Sequence, residues 1–364
     1  VSCQELLFTS VILPVSPVRS AADSIRAAIA ASQGSIPFAQ FMENALYGSD
    51  GFYSTTGRAG RRGDFITSPE VGPLFGHVVS QAIDAVWKRL GEPTDFQIVE
   101  VGAGPGTLAR SILAASPQCL VNGSYVAVEV SAEQRTLHPD GVTSTDVMPS
   151  NIAHGVIIAN ELLDNLPFDL WVYDDGWRNA HVIQQGDGFA ELLMTQDVPA
   201  CLPSRVPHGS RAPVHSKATE WLTNVLENLS SGSVFVIDYC TPLTAEVASM
   251  PWREWLRTYA GHERGVHYLR NPGEQDITTQ VCIDQLAAVR EPDAVRTQSQ
   301  FLQLWGIDEL VEEGKQVWTE NAARPTLAAI KMRSRVTEAE ALLDTTGLGN
   351  FMVLEWSVSS SKEK

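Results

Sequence analysis

The stretch from Gln97 to Leu113 constrains the fold more than any other. Ile98, Val99 and Val101 form a short β-branched run, the composition of a parallel strand covered on both faces. Gly102, Gly104 and Gly106 follow, in a turn whose backbone can take positive φ and let a ligand approach closely. Leu108, Ile112 and Leu113 then recur at helical spacing. Strand, glycine turn and helix are the first unit of a nucleotide-binding α/β fold. Two common versions of that unit are excluded. A dinucleotide turn places its third glycine three positions after the second, and here the interval is two. A P-loop needs a lysine after its last glycine, and none follows Gly106.

In place of a phosphate-binding cation there is an acid, Glu100, one residue before the turn. The next strand, Tyr125 to Val130, carries a second acid, Glu129, about one βαβ unit further on. A carboxylate there can accept both ribose hydroxyl protons. The Glu-x-Gly-x-Gly-x-Gly pattern resembles the first motif of class I S-adenosylmethionine (SAM) methyltransferases. Their ligand carries an amino acid and an adenosine but no phosphate.

The 364 residues are enough for two domains or one heavily inserted domain. A net charge of -17 argues against non-specific nucleic-acid binding, because phosphates would be repelled. The five cysteines are scattered without a C-x-x-C, so neither a zinc site nor a disulfide framework is indicated, and a reducing cytoplasm fits. Leu6 to Val18 is apolar but short, interrupted by two prolines and without a preceding charged segment, so no membrane insertion is expected.

The expected organisation is a poorly ordered leader over 1–20 and a helical N-terminal region over 21–95. The first part of the SAM-binding core covers 96–167, and an inserted β-meander with a helix covers 168–232. A core strand at 233–240, a lid or substrate insertion over 241–275, the last part of the core over 276–356 and a tail over 357–364 complete it. Asp23 is a cap for the first helix, and Phe38, Phe41, Met42, Ala45 and Leu46 form one face of the second. Ser68, Pro69 and Glu70 suit the start of a helix that runs on to Leu90. Pro199 to Pro213 reads as irregular, and Phe301 to Glu313 as helical. Leu327 to Met332 and Phe351 to Trp356 are open between strand and helix end. Trp252 and Trp255 read as packing for the insertion. His262 and His267 are five residues apart, one too many for a metalloprotease helix, so no metal is expected.

From about Ile36 to Trp356 the chain resembles the MidA-like family of class I SAM-dependent methyltransferases. The stretches that carry the resemblance are Pro37 to Met42, Gly63 to Glu70, Glu100 to Leu108, Ala159 to Pro167, Ile237 to Tyr239, Leu256 to His262, Pro272 to Thr279, Gln300 to Leu302 and Gly349 to Leu354. Gly63 to Glu70 and Asn160 to Pro167 are the most specific. The resemblance implies a Rossmann-like doubly wound α/β sheet with a helical N-terminal region and inserted substrate segments. It implies SAM as cofactor and protein arginine methylation as the activity. It also implies a protein partner, with a respiratory-complex subunit and a homodimer among the expectations, and a cytoplasmic bacterial location. Methylation of a small molecule or another residue, or a non-catalytic SAM-fold assembly factor, are the alternatives.

Arginine is permanently protonated, so its methylation needs carboxylates that orient the guanidinium and accept its proton. Glu161 and Asp164 are the expected catalytic pair, with Asn160 at the methyl end of SAM. The competing reading makes both acids helix caps. The expected cofactor set is Glu100, Gly102, Ala103, Gly104, Gly106, Thr107 and Glu129, with Asp146 toward the adenine and Asp64 and Glu70 covering the site.

Overall fold

The computed structural model describes residues 20–55, 67–260 and 263–359. The expected leader (all but Ser20), Asp64, His262 and the end of the tail lie outside the described residues. Seven strands build the central sheet: β1 (Phe96–Val101), β2 (Ser124–Val128), β3 (Val142–Thr145), β4 (Ile152–Asn160), β5 (Leu229–Asp238), β6 (Ala294–Thr297) and β7 (Met352–Val358). Their spatial order is β6-β7-β5-β4-β1-β2-β3. The five from β5 to β3 are parallel, β7 runs antiparallel to β5, and β6 antiparallel to β7. Chain order reverses between β1 and β4, and in such sheets ligands bind at the carboxyl ends of the strands on either side of the reversal.

The β-branched runs are continuous because both sheet faces are covered. Ile98, Val156, Ile158 and Ile237 pack with Phe75, Val79 and Ile83 of the helix Pro73–Arg89. Val99, Val101, Ile157 and Val236 face the other way, onto Leu222 and Val225 of the helix Ser216–Asn228. A second core lies beyond the sheet. There an antiparallel meander (Asp169–Tyr173, Trp177–Gln185, Gly188–Met194) is joined by Arg211–Val214 and by Ile36–Pro37 at its edges. The helices Ala21–Ala31 and Phe38–Tyr47 contribute Ile25, Ile29, Phe38, Phe41 and Met42 to this core. The insertion after β5 adds a small sheet in which Leu256–Ala260 pairs with Asp276–Thr279.

Several local expectations differ. Ser20, not Asp23, caps the first helix: its hydroxyl accepts the Asp23 N–H, and the Asp23 carboxylate accepts the Ser20 N–H. The helix expected from Ser68 to Leu90 is broken into Ser68–Val71 and Pro73–Arg89, because Pro73 has no N–H to continue a ladder. The freed Leu74 N–H is taken by the buried Glu338 carboxylate at 2.9 Å. Ser68 is not a cap; it is buried and donates to Gln298 at 2.8 Å. Arg211–Val214 is a strand despite Pro213, which its edge position allows. Phe301 to Glu313 divides into Gln298–Leu304 and Ile307–Asn321 around Gly306, which has φ 84. Leu327–Leu343 is helix, and Phe351 leads into β7. Among the described residues no helix is long and apolar enough to cross a membrane.

Candidate active site

The C-terminal end of β1 turns away from the sheet at Gly102. The N–H groups of Gly102 and Ala103 both donate to Val128 O, at 2.9 and 3.1 Å, which pins the turn to β2. Gly102 and Gly104 have φ of 71° and 52°, a region that suits glycine. A Cβ on Gly102 would lie 2.9 Å from Leu162 Cδ1, whereas one on Gly104 would meet only Gln134 Oε1, at 3.4 Å. The backbone of Gly104 is therefore bare toward the cavity. Glu129, just past β2, accepts the Gly104 N–H through one oxygen at 2.9 Å and the Ser131 N–H through the other at 2.8 Å. Each oxygen keeps a lone pair for a further donor. Glu100 is buried in the strand, and burial pushes its carboxyl up to about 7; the Tyr125 hydroxyl, donating at 2.6 Å, opposes that rise.

β4 delivers the other half of the site. Glu161 follows the strand with φ 49°, a conformation that costs a non-glycine residue about 1 kcal/mol or more and clusters at functional sites. Its own N–H is fixed on Ile237 O at 2.8 Å, and Asn160 Nδ2 donates to its carboxylate at 3.2 Å. Burial, then the neighbouring Asp164, raises its carboxyl to about 8. Asp164 is itself buried, and burial together with Asp238 and Asp276 holds its carboxyl well above the usual range. One of its oxygens accepts the Thr278 hydroxyl at 2.9 Å; the other is buried without a partner.

Neither Glu161 nor Asp164 caps the short helical turn Leu163–Asn165. That role falls to Asp238 at the end of β5, fully buried, whose carboxylate accepts the N–H groups of Leu163 (2.9 Å) and Asp164 (3.3 Å) and of Tyr239 (2.8 Å). The strand Asp276–Thr279 presents Asp276 and Thr278 on one face, two residues apart. One Asp276 oxygen accepts from Tyr53 Oη, Asn165 Nδ2 and the Ile277 N–H, at 3.0, 3.0 and 2.8 Å.

The two halves enclose a cavity of about 380 Å³. Of the residues expected from sequence, Glu70, Glu100, Gly102, Ala103, Gly104, Thr107, Glu129, Asn160, Glu161 and Asp164 line it. Gly106 does not; it caps the helix Thr107–Ala115, packed against His138 and Pro139. Asp146 is also outside the cavity wall, exposed and 3.6 Å from Arg135. The Glu70 carboxylate on the wall accepts the Thr67 N–H at 3.2 Å. Sequence reasoning passed over Tyr47, Tyr53, Gln134, Tyr239, Tyr259, Asp276 and Thr278, which line the same space. The alternation of Asp276 and Thr278 was the available signal for the last two. Trp255 is core of the second lobe and also reaches the wall, while Trp252 meets Tyr268 edge-on and carries the Arg253 guanidinium over its ring, outside it. Among the described residues six carboxylates face the cavity against one basic side chain, Arg257, and no group of His, Cys, Asp and Glu is arranged to hold a metal ion.

SAM fits this wall. The bare Gly104 backbone leaves room that a side chain would fill, and Glu129 holds lone pairs for a diol. Asn160 Oδ1 is buried, unpartnered and on the wall, an acceptor for an ammonium. The sequence model of a family described as S-adenosyl-L-methionine-dependent methyltransferases matches residues 78–300. The mitochondrial protein arginine methyltransferase NDUFAF7 homolog of Drosophila melanogaster is 44% identical over 95 residues, which are 26% of this chain and 22% of that relative. The mitochondrial protein arginine methyltransferase NDUFAF7 of Danio rerio is 25% identical over 322 residues, covering 76% of this chain and 74% of the relative. A Burkholderia thailandensis crystal structure bound to S-adenosyl-homocysteine shares the fold. Its TM-score is 0.76 at 24% identity, over 94% of this chain and 92% of that one.

Proposed function

The chain belongs to the MidA-like family of SAM-dependent methyltransferases, and from that premise we propose that its methyl acceptor is the guanidinium of an arginine in a protein. One observation carries the proposal: the buried, unpartnered Asp164 oxygen beside Glu161, on the wall shared with the glycine turn. A buried carboxylate oxygen without a donor is costly, and a planar guanidinium presents several N–H groups in a fork that matches two carboxylates. The tyrosines on the same wall offer faces against which a guanidinium stacks. The names of the Drosophila and Danio relatives support the same acceptor.

Bound SAM supplies a sulfonium-activated methyl group. The chain's own residues then orient and deprotonate the acceptor. Burial raises both carboxyls, with Asp164 adding to the rise at Glu161 and Asp238 and Asp276 to that at Asp164, so both favour the protonated form while the site lacks a cation. An entering guanidinium reverses that balance and draws both toward the carboxylate form. They hold the reacting nitrogen in line, and one of them takes the proton that the nitrogen loses as its new bond to carbon forms. Asp238 and Thr278 keep the pair in place. The acidic wall suits a protein substrate whose target arginine lies in a cationic segment.

The test is methyl transfer from labelled SAM to arginine- and lysine-containing peptides and to cell lysate, with mass spectrometry of the products. Label on arginine is expected. Label confined to small molecules or to other residues overturns the proposal. In the same assay Glu161→Gln is expected to keep cofactor affinity and lose about ten- to a hundredfold in rate, the cost of one charge-assisted contact.

A further inference from the structure

Gln134 has no role in the site described so far, yet its chemistry is unfinished. It lies in the short helix Ala132–Arg135, on the loop that also carries Glu129. It is 2% exposed and lines the cavity, and its Oε1 is buried with no hydrogen-bond donor. The neighbouring backbone donors are already committed. Gly104 and Ser131 donate to Glu129, and Gly106 donates to Ala103 O. The same oxygen is the atom a Cβ on Gly104 would meet, at 3.4 Å, so it stands where the bare glycine backbone opens to the ligand. A glutamine whose purpose was packing would find a partner or be replaced without loss by an apolar side chain.

We infer that Gln134 is a cofactor-binding residue whose carboxamide oxygen accepts the proton of one ribose hydroxyl, the Glu129 carboxylate taking the other. A ribose offers two adjacent hydroxyl donors, and Glu129 and Gln134 are two acceptors on one loop beside one glycine. The loop is held as a unit: Arg135 Nη1 donates to Glu129 O at 2.7 Å and Val130 O at 3.0 Å, and the Gln134 N–H reaches Ser131 Oγ at 3.4 Å. The ammonium of the cofactor has its own unpartnered acceptor in Asn160 Oδ1, across the turn on β4.

The experiment is calorimetric titration of wild type, Gln134→Leu and the volume-conserving Gln134→Met with S-adenosylhomocysteine and its 2′-deoxy and 3′-deoxy ribose analogues. Melting of each ligand-free protein is followed in parallel. Wild type is expected to bind S-adenosylhomocysteine about tenfold tighter than one deoxy analogue, and both variants to lose that discrimination while melting no lower than wild type. The variants then bind S-adenosylhomocysteine about tenfold more weakly, and the affected analogue as wild type does. Unchanged affinity in the variants overturns the inference, and so does an equal loss for S-adenosylhomocysteine and both analogues, which marks a structural role. Failure of wild type to bind S-adenosylhomocysteine overturns it together with the cofactor assignment, and is distinguished from the other outcomes by that titration alone.

Discussion

Replacing Glu161 by glutamine separates an acid poised for a cation from one that only supports the local fold. In the ligand-free protein the Glu161 carboxyl is raised from 4.5 to about 8, chiefly by burial and then by Asp164. Between those values the unfolded chain has released the proton and the native state retains it. Native protein then binds more protons, so stability falls as pH rises through that window and levels off above it. At about 1.4 kcal/mol per tenfold in acidity the ceiling is about 5 kcal/mol. Glu161 is half-buried, and water screens part of that, leaving about 2–3 kcal/mol. Glutamine keeps the shape and cannot ionise. Glu161→Gln is therefore expected to match wild type in stability near pH 5 and to exceed it by about 2–3 kcal/mol at pH 9. Glu100 and Asp238, each raised to about 7, make both proteins less stable as pH rises, so the difference between the two curves is the quantity to read. Urea unfolding of both proteins at a series of pH values provides it. A variant less stable than wild type by the same amount at every pH refutes the reasoning and leaves Glu161 a structural role alone.

Gly104→Val forces a branched side chain into φ 52° and into the open face of the turn; calorimetry should show no S-adenosylhomocysteine binding while circular dichroism shows the fold retained. Asp238→Ala strips the acceptor from three backbone N–H groups at the end of β5. It should cost about 3 kcal/mol or more in urea unfolding and also reduce methyl transfer, since those bonds place Asp164. Thr278→Val removes the hydroxyl donor to Asp164, and its effect should appear in the rate on an arginine peptide with cofactor affinity unchanged. The spacing of Gly102, Gly104 and Gly106 predicts that NAD does not compete with S-adenosylhomocysteine in a displacement titration.

How much of this was legible depends on how far apart the cooperating residues stand in the chain. β1, the glycine turn and β2 were readable because each is made by contiguous residues whose pattern matches one covered sheet. Glu129 and Gly104 meet across a single βαβ unit. The opposite wall of the cavity was only half legible. Glu161 and Asp164 stood out beside the end of β4, but their supports come from elsewhere. Asp238 reaches back 75 residues to Leu163, and Thr278 reaches 114 to Asp164. No local periodicity encodes such pairings. The break at Gly72 was missed because Ser68, Pro69 and Glu70 carry genuine helix-start chemistry, and the weight of Pro73 shows only once Glu338 is seen filling the gap. Asp64, an expected cofactor contact, lies outside the described residues.

The edge pairing of Ile36 with Val182 has a consequence for synthesis of the chain. The helix Phe38–Tyr47 leaves the ribosome before most of the core it joins, with Phe38, Phe41, Met42 and Leu46 destined to pack with Phe168, Leu170 and Val182. At about 5–20 residues per second, those partners emerge on the order of ten seconds later. Throughout that interval the nascent chain displays an aromatic stripe with most of its cover not yet made, a binding surface for holding chaperones and a seed for aggregation. The strands β1 to β4 of the central sheet are meanwhile translated almost in succession. The N-terminal helices of the second lobe thus wait for partners that are translated only after β1 to β4 of the central sheet.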